Sequence, residues 1–174
     1  MSYVNCLKCI VCGSTFKEED GIETCPGCGD KGILDVIYDY DKIAKVASRE
    51  SIEKSQDTSI WRYMPFLPVE PNWAKPPLRV GWTPLYNAAR LASEIGVKTL
   101  FVKDEGVNST ASMKDRASAI AVSRAYAAGK RIVACASTGN AASSLAGCAA
   151  SMGLRSCIFV PRRAPKGKLV QLLI

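Results

Sequence analysis

Histidine is missing from all 174 residues. Its absence excludes any Ser/His/Asp or Cys/His catalytic pair and any histidine-bearing metal site supplied by this chain, and it leaves lysine as the basic side chain best suited to catalysis. Long apolar runs are missing too: none approaches the roughly 20 residues needed to cross a bilayer. The opening stretch, MSYVNCLKCIVCG, lacks the charged, then apolar, then small-residue order of a signal peptide. The chain therefore reads as soluble and cytoplasmic, with no membrane partner. The turn Ser137–Asn140 is neither a Gly-x-Gly-x-x-Gly fingerprint nor a P-loop, which argues against a dinucleotide or nucleoside-triphosphate site of those kinds there. Repeats and low-complexity tracts are absent.

What is present is a chain 48% hydrophobic with a formal net charge of +7. That suffices for one core and a small appendage. The positive charges are scattered, so a solvated surface accounts for them better than a nucleic-acid face does.

Eight cysteines in a reducing setting point to metal rather than disulfides. Cys9-x-x-Cys12, a gap of twelve residues, and Cys25-x-x-Cys28 give the spacing of a zinc ribbon, and each pair is followed by a glycine, Gly13 or Gly29. Two such turns each aim two thiolates at one tetrahedral ion, and glycine lets the backbone fold tightly under the sulfurs. Four unmetallated thiols are the alternative, but so short a segment has little core of its own without a metal. Cys6 has the same spacing to Cys9; the glycine-marked pairs decide against it. Four sulfur ligands leave no open coordination position, so the zinc is expected to be structural. Glu18, Glu19, Asp20 and Glu23 make this ribbon a poor nucleic-acid binder.

The expected organisation is a ribbon over residues 1–40, an extended wrapping segment over 41–85, and an incomplete α/β region over 86–174. Pro65, Pro68, Pro71, Pro76, Pro77 and Pro84 exclude regular helix or central strand in the middle segment, which Trp61, Trp73 and Trp82 would pin to a larger body. Beyond it come a helix near 87–95, a strand KTLFVKDE, a helix opened by Ser112 and stopped by Gly129, a strand RIVACAS, a helix near 140–152, a strand SCIFVP and a helix from about Ala164. Alternating strand and helix argues for a parallel sheet covered on both faces, with continuous apolar strands such as IVACA buried between helices. Cys135, Cys148 and Cys157 read as small core residues.

Two turns in this pattern carry chemistry. In NSTASMKDRAS, Ser112 is a natural N-cap and Asp115 completes an approximate capping box. Lys114 then stands in the first helical turn, where the positive end of the helix dipole disfavours a cation by a few tenths to about 1 kcal/mol. A neutral amine suits that place better, and it is the nucleophilic form. In ACASTGNAASS, residues Ser137, Thr138, Gly139 and Asn140 join strand to helix with hydroxyl, amide and first-turn N–H groups that suit a carboxylate. Ligands in such sheets gather at the carboxyl ends of strands.

The stretches WTPLY, NSTASMKDRAS, ASTGNAASS and FVPRRAPKGKLVQ occur in the order seen in pyridoxal-phosphate enzymes of fold type II, which the sequence resembles; the ribbon and the Lys-Asp-Arg triplet bring it nearest to the threonine synthase family. The resemblance implies pyridoxal 5′-phosphate held covalently by Lys114, its phenolic oxygen hydrogen-bonded by Asn140, and a substrate carboxylate on Ser137, Thr138 and Gly139. It implies a small amino-acid substrate, O-phospho-L-homoserine, converted with water to L-threonine and phosphate. It is compatible with a homodimer. Met113, Ala111 and Ala117 depart from the family's usual residues and suggest a slightly stiffer loop. Family members also run on further, so the chain is expected to be an amino-terminal fragment, inactive or poor at holding cofactor by itself. Two other readings share these features: a different fold type II enzyme, such as a β-replacing synthase or a dehydratase, and a non-catalytic zinc-ribbon module.

Overall fold

A computed structural model describes residues 3–18, 21–163, 166 and 170. It divides into two compact units, one of residues 1–56 with 62–72, the other of 57–61 with 73–174.

In the first unit, β1 (Val4–Cys9) pairs antiparallel with both β2 (Thr15–Phe16) and β3 (Leu34–Tyr38), in the order β2-β1-β3. Cys9 ends β1 opposite Leu34, so a reversal straight after it carries Cys12 back over the sheet. Two short helices follow, α1 (Tyr40–Ala44) and α2 (Arg49–Glu53). The Asp39 side chain accepts from the Lys42 N–H at the start of α1, and Ser48 and Ser51 form a reciprocal capping box on α2. The proline-rich stretch opens differently from expectation. Residues Ile60–Phe66 form 3₁₀ turns kinked at Tyr63, with Pro65 inside. Short i to i+3 turns tolerate the proline that would break a longer α-helix.

The second unit begins its regular structure with a strand the sequence pattern did not reveal. Leu85–Asn87 is β4, antiparallel to β5 (Phe101–Lys103), and α3 (Ala89–Glu94) is correspondingly shorter than the helix expected from residue 87. The pairing is made across the chain, which no local period encodes. Next come α4 (Lys114–Ala127), β6 (Ile132–Ala136), α5 (Asn140–Ser151) and β7 (Arg155–Phe159). Strands β6 and β7 are parallel and in register from Ile132 opposite Arg155 to Ala136 opposite Phe159.

The expected burial of these strands is not observed. Ile132 is 49% and Phe159 61% exposed, and Cys157 is exposed while Cys148 is fully buried. Among the described residues β6 and β7 form a two-stranded sheet, with α5 packed against both. Trp82 is likewise exposed rather than buried, whereas Trp61 packs on the cluster of Ile60, Val80 and Ala119. The final helix expected from about Ala164 falls mostly outside the described residues.

The core of this unit lies between α4 and α5. The buried stripe of α4 is Asp115, Ser118, Ala119, Val122 and Ser123, and that of α5 is Ala142, Ser144, Cys148 and Ala149. The spacing is helical, but the residues are small rather than strongly apolar, which lets the two helices approach closely enough for Ser144 Oγ to donate to Ser118 Oγ at 2.7 Å. Val122, Cys148 and Ala149 continue the contact.

Candidate functional site

Four thiols gather as the spacing requires. The Sγ atoms of Cys9, Cys12, Cys25 and Cys28 all lie within 4.8 Å of one another, and Cys6 is not among them. Cys12 and Cys25 are 3.7 Å apart, close to the edge of about 3.8 Å that a tetrahedron with zinc–sulfur bonds of about 2.3 Å requires. The turns do what the glycines imply. The N–H groups of Gly13 and Gly29 donate to the carbonyls of Cys9 and Cys25 at 3.0 and 2.8 Å, and both glycines have positive φ. A third glycine escaped the sequence reading. A Cβ on Gly32 would stand 2.5 Å from Cys25 Cβ and 2.8 Å from Cys28 Cβ, so the chain can pass beneath the second pair only as glycine. The Ser14 hydroxyl beside Cys12, helped by the Ser14 backbone, lowers that thiol to about 6, and sharing with Cys12 pushes Cys28 up to about 12. The donor set suits a closed tetrahedral ion.

Lys114 is the first residue of α4 and is exposed. Ser112 acts in the manner of a cap, its buried hydroxyl accepting from the Lys114 N–H at 3.1 Å, although Met113 is the residue that immediately precedes the helix. The capping-box role expected of Asp115 is not observed. Its fully buried carboxylate turns instead to Thr110, accepting from the backbone N–H at 2.7 Å and from the hydroxyl. Two donors on one residue outcompete the single N–H that a capping box would supply.

Arg116 completes a network unseen in the sequence. Its guanidinium donates Nε to Glu105 Oε2 at 2.8 Å and Nη2 to Oε1 at 2.7 Å, a bidentate pair. Thr83 Oγ1 donates to Glu105 Oε1 at 2.7 Å, and Asn108 Nδ2 to Oε2 at 3.0 Å. Asn108 Oδ1 in turn accepts the Gly81 N–H at 2.9 Å. Arg116 above all, with Thr83 and Asn108, lowers the Glu105 carboxyl to about 2.

The second chemical turn lies at the carboxyl end of β6. Ser137 Oγ accepts from the Gly139 N–H at 3.2 Å, and Gly139 O accepts from Ala142 N at 2.9 Å. The amides of Asn140 and Ala141 precede that bond and belong to the open end of α5. Ser137 and Thr138 line a cleft of about 510 Å³ with Ala136, Phe159, Val160 and Pro161; Lys114, Gly139 and Asn140 are not among its lining residues. Short connections join α4 to β6 and β6 to α5, and α5 packs on both β6 and α4. The Ser118–Ser144 bond joins α4 and α5 four residues, or one turn, into each. The cleft offers the Ser137 and Thr138 hydroxyls beside the first turn of α5, groups that suit an anion.

Residues 77–173 match the family described as pyridoxal-phosphate dependent enzyme. The chain is 41% identical over 165 residues to the threonine synthase of Methanocaldococcus jannaschii, covering 94% of this chain and 40% of the relative. It is 42% identical over 171 residues to the threonine synthase of Methanosarcina acetivorans, covering 97% and 40%. A threonine synthase of Mycobacterium leprae is 43% identical over 110 residues, 63% of this chain and 30% of the relative. The chain thus spans about 40% of the length of the first two of these relatives.

Proposed function

The chain belongs to the pyridoxal-phosphate dependent enzyme family, and from that premise we propose that it carries out part of a threonine synthase reaction, the conversion of O-phospho-L-homoserine and water to L-threonine and phosphate in the cytoplasm. The observation that supports this reading is that Lys114 and Asn140 each open a helix and that these two helices are hydrogen-bonded to each other through Ser118 and Ser144. The 41% and 42% identity to threonine synthases supports it along nearly the whole chain. No helix among the described residues is long and apolar enough to cross a membrane.

Each residue has a part. Lys114 would hold pyridoxal phosphate through its amine and would move protons at the substrate carbons. The cofactor supplies an electron sink for carbanion chemistry. Asn140 would hydrogen-bond the cofactor and help to orient it. Ser137, Thr138 and Gly139, with the first amides of α5, hold the substrate carboxylate at the positive helix end. Loss of phosphate from the γ carbon and addition of water at the β carbon then balance the reaction. The four cysteines hold one structural zinc.

The matched length is about 40% of that of the relatives, so turnover is a property to be tested at their full length. Pyridoxal phosphate added to the chain should give a yellow absorbance that borohydride removes, with the label on Lys114. Joined to the missing length of a relative, it should release inorganic phosphate from O-phosphohomoserine. Release of a 2-oxo acid from threonine or serine would mark a dehydratase instead. A colourless, unlabelled protein that shifts DNA or RNA would overturn the enzymatic reading.

A further inference from the structure

The lysine loop is held from more directions than a helix start needs. Asp115 grips Thr110 through two bonds. A Cβ on Gly147 of α5 would come within 2.9 Å of Thr110 Cγ2, so the loop lies directly on the helix that begins at Asn140. Ser109 Oγ donates to Arg79 O at 3.0 Å, and Asn108 receives the Gly81 N–H. Through Glu105, Arg116 draws in Thr83 as well.

The backbone inside this cage is strained. The chain's two described non-glycine residues with positive φ are Ala111, at 55°, and Trp82, at 51°. Ala111 follows Thr110, which Asp115 holds, and Trp82 precedes Thr83, which Glu105 holds. Such conformations persist only where the surroundings over-determine them, and they gather where geometry serves function. Stability alone would be served better by relaxing both turns.

We infer that Asp115 and Arg116 are positioning residues for Lys114: they fix the strained Thr110–Met113 turn, and with it the direction in which the Lys114 amine meets an aldehyde. The inference rests on the reading of Lys114 as the cofactor lysine. Asp115 acts directly on the turn; Arg116 acts through Glu105 and Asn108, which anchor its upstream end. Glu105 stays ionised down to about pH 2, so the clamp keeps its charge throughout the neutral range.

The test uses the full chain with Asp115→Asn, Arg116→Lys and Glu105→Gln, each of which stays close in size while removing a carboxylate acceptor or the bidentate fork. Amide hydrogen exchange of Thr110 to Lys114 should quicken by at least about tenfold in each variant, while amides in the middle of α4 around Val122 keep their protection. Independently, brief exposure to pyridoxal phosphate followed by borohydride, with peptide mapping, gives the labelling of Lys114 relative to the exposed Lys98 and Lys130. That ratio should exceed unity in the parent protein and fall by about tenfold in the variants. Unchanged loop exchange overturns the inference. So does faster exchange with an unchanged labelling ratio, because the network would then be structural only. A parent protein with no preference for Lys114 overturns the cofactor-lysine reading and removes the ground of the inference. The exchange data still report whether the clamp exists, so the two failures are distinguishable. Should Asp115→Asn fail to fold, the two partly exposed partners decide the matter alone.

Discussion

Ala111 sits in the left-handed region with a side chain that disfavours it by roughly 1–2 kcal/mol. Glycine removes that penalty but loses more freedom on folding, so Ala111→Gly should stabilise the chain by a few tenths to about 1 kcal/mol, read as a higher urea midpoint. The residue was visible in the sequence only as an oddity beside the lysine. Its backbone conformation is imposed by Asp115 and Asn108, and no local propensity specifies it. The pair Glu105–Arg116 gives a second measurement at this scale. The folded carboxyl lies near 2, below its ordinary 4.5, so its contribution to stability is complete above about pH 4.5 and is lost as the pH falls through about 2. Glu105→Gln should therefore flatten the dependence of melting temperature on pH across that window, and a slope equal to the parent's would show that the pair contributes nothing. Ser123 Oγ is buried without a hydrogen-bond partner among the described residues, and Ser123→Ala should be neutral or stabilising by about 1 kcal/mol in the same assay.

Helices α4 and α5 were the most legible elements. Asn140–Ser151 nearly coincides with the span expected from 140 to 152, and α4 stops at Gly129 through a positive φ of 68°, because capping glycines and the 3.6 period are local signals. The lysine and the Ser-Thr-Gly-Asn turn were legible for the same reason: both sit at helix starts. Strand β4, the exposure of β6 and β7, and the Glu105–Arg116–Thr83 network were not, since each depends on residues distant in sequence or on which face of a strand is covered. Small residues on facing helices make the α4–α5 contact sensitive to volume. Gly147→Ala would press a methyl against Thr110, and overpacking of this kind costs about 1–3 kcal/mol. It should lower the denaturant midpoint and quicken exchange at Thr110, while Ala146→Ser, a change of similar size one residue earlier, serves as its control.

At the scale of the whole molecule, the two units should differ in what holds them. The second has a helix pair and two apolar clusters. In the first, the buried hydrophobic residues are Cys9, Cys25, Ile43 and Val69, and two of the four are sulfur donors of the cluster. On the zinc reading, ordering of the segment between Cys9 and Cys28 would come from the metal, since binding an ion to thiolates that converge only in the folded state adds its free energy to folding. The purified chain is accordingly expected to carry one zinc ion. A strong chelator should abolish amide protection in β1 and β3 while leaving α4 and α5 protected. Cys9→Ser should lose the metal and reproduce the chelated state. Cys6→Ser should keep one zinc and full protection, because that sulfur lies outside the tetrahedral group. Gly32→Ala, which forces a methyl between the Cβ atoms of Cys25 and Cys28, should weaken zinc retention although it removes no ligand. Metal loss in Cys6→Ser together with retention in Cys9→Ser would reassign the donor set.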